Sequence, residues 1–571
     1  MKMDLSQMPF SRAYSYMALS ELSENFKGME NVQGLYLRTV HGSAPKPLIA
    51  RIIPTVDGKE VEYDSRLERV GLRLQAAGKE IGFCFDNSGT LLIRGMGEGV
   101  GISLDFLTKE GTYDYIYEIP HDGVIRYMAN CYKNNCRYLV WAQKGDIVLE
   151  QKWEESSSLY SKLHITGEDG FVVVLREIET EWDGVCRTYN FETSRESTEQ
   201  EFLAFYRKMP ECPMEYKDTA YRAAYLNWSS LVKKNGFLTR DAMFMSKNWM
   251  CNVWSWDHCF NAIALSYHYP ELAWDQFMIM FDHQDATGLL PDSINDVHIV
   301  WNYCKPPIHG WALDKMMKNM ELSRGQMEEA YRCLEKWTCW WLNYRDYDGD
   351  GLCEYNHGND SGWDNSTVFS ILPPVESPDL QAYLIIQMEV LSNLAGKLRM
   401  ETAEKDWAQR SSKMLEKMLK HNFRDHLPVA VRSGNHEIIE NDSLLPYECI
   451  VLGRRLPKVI RKEMIKVLYG NKFYTDYGFA TESPDSVFYR TDGYWRGPIW
   501  APSTMILLDG LYQCGEKGLV REAADRFAAM VTEGGFAENF DALTGKGLRD
   551  RAYTWTSSAF LVMTHEYLNG D

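Results

Sequence analysis

The chain has 571 residues, 45% hydrophobic and 25% charged, an ordinary globular composition in a polypeptide too long for one hydrophobic core. A formal charge of -19, with no run of Lys or Arg, excludes a polyanionic partner such as nucleic acid, because phosphate binding needs clustered cations. No 18 apolar residues run together and the N-terminus lacks an unbroken apolar h-region, so neither a membrane span nor a secretory signal is expected.

A cytoplasmic location is the resulting default. Thirteen cysteines without paired C-x-x-C spacing read as reduced, mostly buried thiols, not as a disulfide framework or zinc site. The 18 Trp, 33 Tyr and 23 Phe supply flat apolar platforms suited to sugar rings wherever they line a cleft.

Residues 1–195 read as short strands rich in β-branched and aromatic side chains, punctuated by turns such as Asp86-Asn87-Ser88-Gly89 and Gly167-Glu168-Asp169-Gly170. A β-sandwich is the expectation. Residues 196–214 look like a charged helical linker ended by Pro210 and Pro213. From 215 to 571 the period switches to that of helix. Twelve stretches stand out: 214–234, 254–268, 270–286, 308–321, 325–345, 376–397, 401–423, 444–452, 455–469, 498–515, 516–533 and 555–569. Twelve helices can close as six hairpins, so the expected fold is mainly α, an (α/α)6 toroid behind an N-terminal β-sandwich. Several joints are long, aromatic and rich in Gly, Asp and Asn, and such loops in a compact helical domain are usually functional.

Four loops carry candidate chemistry. The first, "NWMCNVWSWDHCF", holds Trp249, Trp254, Trp256 and Asp257. Asp257 either caps the following helix or accepts bonds from the hydroxyls of a sugar stacked on Trp256. The second, "FDHQDATGLLPDSIND", leaves Gln284, Asp285 and Asp292 near a break at Gly288 and Pro291, with solvated loop carboxylates as the alternative. The third runs from "RDYDGDGLCEYNHGN" into "DSGWDNST". Its start matches the D-x-D-x-D-G pattern of a calcium loop, with Asp346, Asp348, Asp350, the Leu352 carbonyl and Glu354 as ligands, although position 12 is His357 and not a bidentate Glu. A polar turn is the competing reading. The fourth is "DGYWRGPIWAPS", with Trp495, Arg496 and Trp500, together with "GGFAENFDALTGKG", with Glu538, Asn539 and Asp541.

Breaking a glycosidic bond needs one carboxylic acid to protonate the departing oxygen and one carboxylate opposite to attack or to activate water. An indole beside the acid raises its pKa by desolvation. Asp364, flanked by Trp363, suits the acid, and Glu538, followed by polar Asn539, suits an ionised base.

In this order the motifs "VWSWDHCF", "RDYDGDGLCEY", "DSGWDNST", "YWRGPIWAP" and "AENFDALTGKG" resemble bacterial members of glycoside hydrolase family 63, the inverting α-glucosidase family. The likeness covers about residues 215–571. It implies Asp364 as general acid, Glu538 as general base, and Trp254, Trp256, Asp257, Gln284, Trp363, Trp495, Arg496 and Trp500 around the sugar. It further implies no cofactor in catalysis and, as in some relatives, structural calcium at Asp346–Glu354. The expected substrate is an α-linked glucoside, a small oligosaccharide or a glucosyl conjugate. Trehalase shares the "SGWD" core, but the glycine-rich Arg motif expected before the first Trp-Asp is replaced by "SKNWMCNV". A sugar epimerase using His258, His283, His298 or His309, and a carbohydrate-binding protein on the same toroid, are the remaining alternatives. Neither aglycone nor oligomeric state is legible.

Overall fold

Along Phe171–Ile178 the side chains of Phe171, Val173 and Leu175 share one face, and Val172 and Val174 the other, the period of two that makes a strand. In the computed structural model, which describes every residue except 1, 2, 24, 27, 28, 44–46, 69, 109–112, 186, 570 and 571, that pattern recurs through two antiparallel sheets. A seven-stranded sheet extends from Met17–Leu22 at one edge to Asp146–Glu154 at the other, and an eight-stranded sheet from Tyr115–His121 to Tyr63–Glu68. Their facing residues, among them Leu37, Ile52 and Ile102 on one and Leu72, Phe83, Ile93 and Leu175 on the other, join one core.

The far face of the second sheet buries Cys84, Leu92, Leu139, Trp141 and Val174 beneath Phe191. Phe191 opens α1 (Phe191–Tyr206), whose N-cap Asn190 accepts from the Thr193 amide. Thr198 and Ser194 tie the helix to Phe85 and Asp86. The segment expected as a linker over 196–214 is therefore largely a helix docked on the sheet, because Phe191, Phe202 and Phe205 form an apolar stripe along it.

The helices that follow are α2 (Lys217–Ser230), α3 (Asp257–Leu265), α4 (Pro270–Met278), α5 (His309–Asn319), α6 (Arg324–Tyr344), α7 (Pro378–Lys397), α8 (Glu401–His421), α9 (Lys458–Leu468), α10 (Ala501–Cys514), α11 (Lys517–Gly534) and α12 (Thr554–Met563). Where 444–452 reads as an α-helix, a 3-10 segment, Leu445–Arg455, forms instead. Pro446 stands in its first turn and Gly453, at φ 54° and ψ -124°, breaks it.

These elements pack in a closed circuit: α3 on α5, α5 on α7, α7 on Leu445–Arg455, that segment on α10, α10 on α12, and α12 back on α3. Outside it, α4 lies against α3, α6 and α8 against α7, α9 against the 3-10 segment, α11 against α10, and α2 against α12. Burial agrees with this division. Every residue of α12 is buried, whereas α8 buries only Trp407, Ser411, Met414 and Met418, the one-faced stripe of an outer helix.

The β-region braces the loops at the head of the helical part. The buried Arg38 guanidinium donates to the carbonyls of Lys247 at 2.6 Å and Asn248 at 3.0 Å. His41 meets Asp296 at 2.6 Å.

Candidate active site

In "DSGWDNST" nearly every side chain is spent on holding the loop. Asp360 accepts from the amides of Asn356 (3.0 Å) and Cys304 (3.3 Å). Asn365 accepts from the Trp495 amide at 2.9 Å and donates to the Gly493 carbonyl at 3.0 Å, while Arg496 Nε donates to the Asn365 carbonyl at 2.6 Å. Ser366 pairs with Ser443, and Thr367 donates to buried Glu482 at 2.7 Å. Gly362 has φ 76°, and a Cβ there would stand 2.6 Å from the Trp256 ring, so only glycine lets this turn close on the indole. Asp364 keeps its carboxyl for something else: its side chain is 30% exposed, with Lys305 Nζ 4.0 Å from Oδ1.

The indoles form a continuous wall. Trp363 stacks on Trp495 at 4.7 Å, and Trp495 on Trp500 at 3.8 Å and 7°. Trp256 lies 6.2 Å from Trp495, and Trp555 meets Trp256 and Trp500 edge-on at 5.8 and 5.4 Å. Trp254 sits on a two-residue strand paired with Ser293–Ile294, and the adjoining Ser255 amide donates to the Asp292 carbonyl.

Glu538 enters from another loop. That loop is joined to the tryptophan loop by reciprocal backbone bonds between Ile499 and Phe540, and Trp555 Nε1 donates to the Glu538 carbonyl at 3.2 Å. Burial, reinforced by the charges of Asp550 and Asp257 and opposed by Arg549, pushes the Glu538 carboxyl up to about 8. Asp257, in the first turn of α3, is pushed up to about 7 by burial and Asp292 against the pull of Lys305; Tyr553 donates to it at 3.3 Å. The N-cap position itself belongs to Trp256, without a side-chain cap bond. Tyr494 ties the parts together. Its phenol is held well above its ordinary pKa by burial and then by the charges of Asp364, Glu538 and Asp257.

Two expectations change here. Desolvation by the protein falls heavily on Glu538, only 6% exposed, where the sequence offers an ionised base; Trp363 turns its face to Trp495. Gln284 leaves the sugar-binding set: its amide donates to the Gly288 and Cys333 carbonyls and braces the loop. Asp285 likewise serves a turn, accepting from the amides of Thr287, Gly288 and Leu289, as does Asp541 for Leu543. Asp292 is buried, not solvated, and pairs with Lys305 at 3.2 Å.

Lys305, Tyr494, Tyr553 and Trp555 escaped the sequence reading. Tyr494 adjoins a motif already singled out, Lys305 precedes a Pro-Pro pair, and Trp555 and Tyr553 look like helix-core residues. The histidines are structural. His258 is buried, lowered to about 4 by desolvation, and shares a hydrogen bond with the Trp254 carbonyl. His309 is fully buried and held neutral by burial. His283 bonds the Phe237 carbonyl, and His298 lies against Asn295.

In the acidic loop, Asp346 accepts from the Gly351 amide, Asp348 from Asp350 and Asp350 from Leu352, so the turn consumes one oxygen of each, and the Gly434 amide and His436 take up the second oxygen of Asp348. Asp346 Oδ1 and both oxygens of fully buried Glu354 make no well-formed hydrogen bond, which suits a hard cation. His357 instead caps the 358–361 turn through the Asn359 amide. Histidine nitrogens also face this corner: His421, His436, Glu376 and Asp350 bring ligand atoms within 4.8 Å of one another.

Stacked indoles beside carboxyl groups on separate loops are the groups that binding a pyranose and moving protons at its glycosidic oxygen call for, and the chain is a glycoside hydrolase, cleaving O-glycosyl bonds. Residues 250–556 match the family model described as mannosylglycerate hydrolase MGH1-like glycoside hydrolase domain. The chain belongs to that family, within glycoside hydrolase family 63.

Among its relatives, the mannosylglycerate hydrolase of Rubrobacter radiotolerans is 22% identical over 406 residues, 54% of this chain and 89% of the relative. The glucosylglycerate hydrolase of Mycolicibacterium hassiacum is 20% identical over 406 residues, 54% of this chain and 91% of that protein. A bacterial glucoamylase solved with acarbose superposes with a TM-score of 0.66 at 11% identity, covering 99% of this chain and 94% of its own. That likeness speaks to fold, and it includes the N-terminal β-region.

Proposed function

We propose that the chain hydrolyses an α-linked glucoside of a small polar aglycone with inversion at the anomeric carbon, Asp364 giving the proton and Glu538 taking one from the attacking water. The observation that carries this reading is that the Asp364 loop and the Glu538 loop are both bonded to the tryptophan loop, through Asn365 and Trp495 and through Ile499 and Phe540, so that both carboxyls act on the Tyr494 phenol. Inversion requires room for a water between the two carboxyls, roughly 6.5–9.5 Å. The closed helix circuit supports the (α/α)6 toroid as the scaffold.

The names of the relatives favour a hexosyl conjugate of a small hydroxy acid, with mannose as the competing sugar. Arg549, 4.7 Å over the Tyr494 ring and paired with Asp492, offers a cation for such a carboxylate. No cofactor enters the bond-breaking steps; calcium at Asp346–Glu354 would serve the loop, and the uncommitted oxygens there support it. Among the described residues no helix is long and apolar enough to cross a membrane. The twelve described cysteines are free, which supports a reducing, cytoplasmic setting.

The test is proton NMR of the first-formed sugar from glucosylglycerate, mannosylglycerate and α-linked disaccharides. The β-anomer appears first on this reading, and an initial α-anomer removes the inverting mechanism. Asp364→Asn and Glu538→Gln should each lower kcat by orders of magnitude with folding intact; full activity in either removes that residue's role.

A further inference from the structure

Four segments meet beside the acidic loop: residues 345–354, the strand Val375–Glu376 that leads into α7, the last residue of α8, and the turn 433–438. Strand pairing enforces the meeting, since Val375 and Glu376 lie opposite Arg432 and Val431, and the turn closes through the His436 amide on the Arg432 carbonyl.

At the junction His421 Nε2 stands 2.5 Å from Glu376 Oε2 and 3.9 Å from Asp350 Oδ2, and His436 Nε2, 3.0 Å from Asp348 Oδ2, stands 3.8 Å from the same Asp350 oxygen. The two imidazoles meet edge to face at 4.5 Å. An ion bound tetrahedrally at 2.0–2.2 Å keeps its ligand atoms roughly 3.3–3.6 Å apart, a spacing that small rotamer changes reach from these distances. Glu376 is fully buried and its Oε1 has no partner, a costly arrangement for a carboxylate with only a histidine beside it. Asp346, Asp348 and Glu354 add further negative charge to the same corner.

We propose that Asp350, Glu376, His421 and His436 bind a divalent transition ion of the zinc class. Two imidazole nitrogens and two carboxylate oxygens suit zinc or cobalt, whereas calcium takes an all-oxygen shell. The donors left to calcium are therefore Asp346, Asp348 and Glu354, a set distinct except for its shared border at Asp350. The ion would pin the root of the catalytic loop: Val375, next to ligand Glu376, exchanges two backbone bonds of 2.9 Å with Tyr355, from which the chain runs directly to Asp364.

The full chain, stripped with chelator and dialysed, is titrated separately with zinc, cobalt(II) and calcium, following heat of binding, melting temperature and the visible absorption of cobalt. One zinc per chain is expected, with a raised melting temperature and a tetrahedral cobalt spectrum. His421→Asn and His436→Asn should each weaken zinc binding by about tenfold or more and leave the calcium response unchanged. The His436 side chain is 41% exposed, so its variant folds even where the His421 one does not. Failure of zinc to bind, equal zinc affinity in the His436 variant, or a response to calcium alone overturns the proposal, and none of these readouts depends on which glycoside is cleaved.

Discussion

The pH dependence of kcat/KM tests the proposed division of labour between the two carboxyls, because burial holds Glu538 in an unusual state. Its carboxyl is pushed up to about 8, chiefly by burial and then by Asp550, so the free enzyme at neutral pH holds Glu538 mostly protonated. A base must first lose that proton. If Glu538 is the base, kcat/KM climbs with pH toward about 8, and two units lower, near pH 6, it stands at about 1% of its plateau. Replacing Asp550 with Asn removes a like charge. It is the largest charge acting on Glu538, and a like charge nearby at an effective dielectric of about 20 is worth on the order of 1 kcal/mol, or about one pH unit. Asp550 is itself raised by burial, and the limb should move down by up to about one unit. Arg549→Gln should move it up. The assay is initial rate at low substrate across about pH 5 to 10 for the wild type and both variants. Asp257 titrates in the same field, so the midpoint belongs to the cluster, and the shifts carry the argument. A limb that ignores both variants, or a rate that falls where it should rise, refutes Glu538 as the proton acceptor.

Glu538→Gln should be more stable than the wild type above pH 8. The folded protein holds this proton to about 8 while the unfolded chain releases it near 4.5, so the folded state loses stability as pH rises through that window. The variant should escape a loss on the order of a few kcal/mol; parallel denaturant curves for both proteins between pH 5 and 9 would contradict this. Asn365→Ala removes the amide that ties the Asp364 loop to Gly493 and Trp495, and should cost kcat up to about a hundredfold through misplacement of the acid, with little change in melting temperature because Asn365 is exposed. Gly362→Ala should destabilise by about 1–3 kcal/mol or more, since φ 76° and the Trp256 ring 2.6 Å away both oppose a Cβ; an unaltered unfolding midpoint would contradict the packing described.

Much of the site was legible because its chemistry sits in short contiguous motifs. Trp363 and Asp364 are neighbours in the chain, as are Trp495 and Arg496, so a loop reading captures them together. Helix existence was equally legible where, as in α8, a one-faced apolar stripe repeats with helical period. What local pattern could not carry was the assignment of partners. Nothing in "FDHQDATG" tells that Gln284 will be turned onto the carbonyls of Gly288 and Cys333, because one of those acceptors lies 49 residues away. Nor does "YCKPP" announce that Lys305 will reach both Asp292 and Asp364.

The electrostatics were misjudged for the same reason. A planar ring covers whatever its face meets, and Trp363, next to Asp364 in the chain, meets Trp495 at 4.7 Å. Glu538 looks solvated beside Asn539, yet the chain folds Asp550, Trp555 and Asp257 around it. Neighbours along the chain fix which groups a loop can offer; neighbours in space decide which of them holds a proton at rest. That distinction matters for the proposed chemistry, because Glu538, the carboxyl proposed to take a proton from water, is deeply desolvated. Either substrate and water must replace part of its lost solvation before the bond breaks, or the enzyme works only where Glu538 has already ionised. The two possibilities separate by experiment: in the first the ascending limb of kcat lies below that of kcat/KM, and in the second the two coincide.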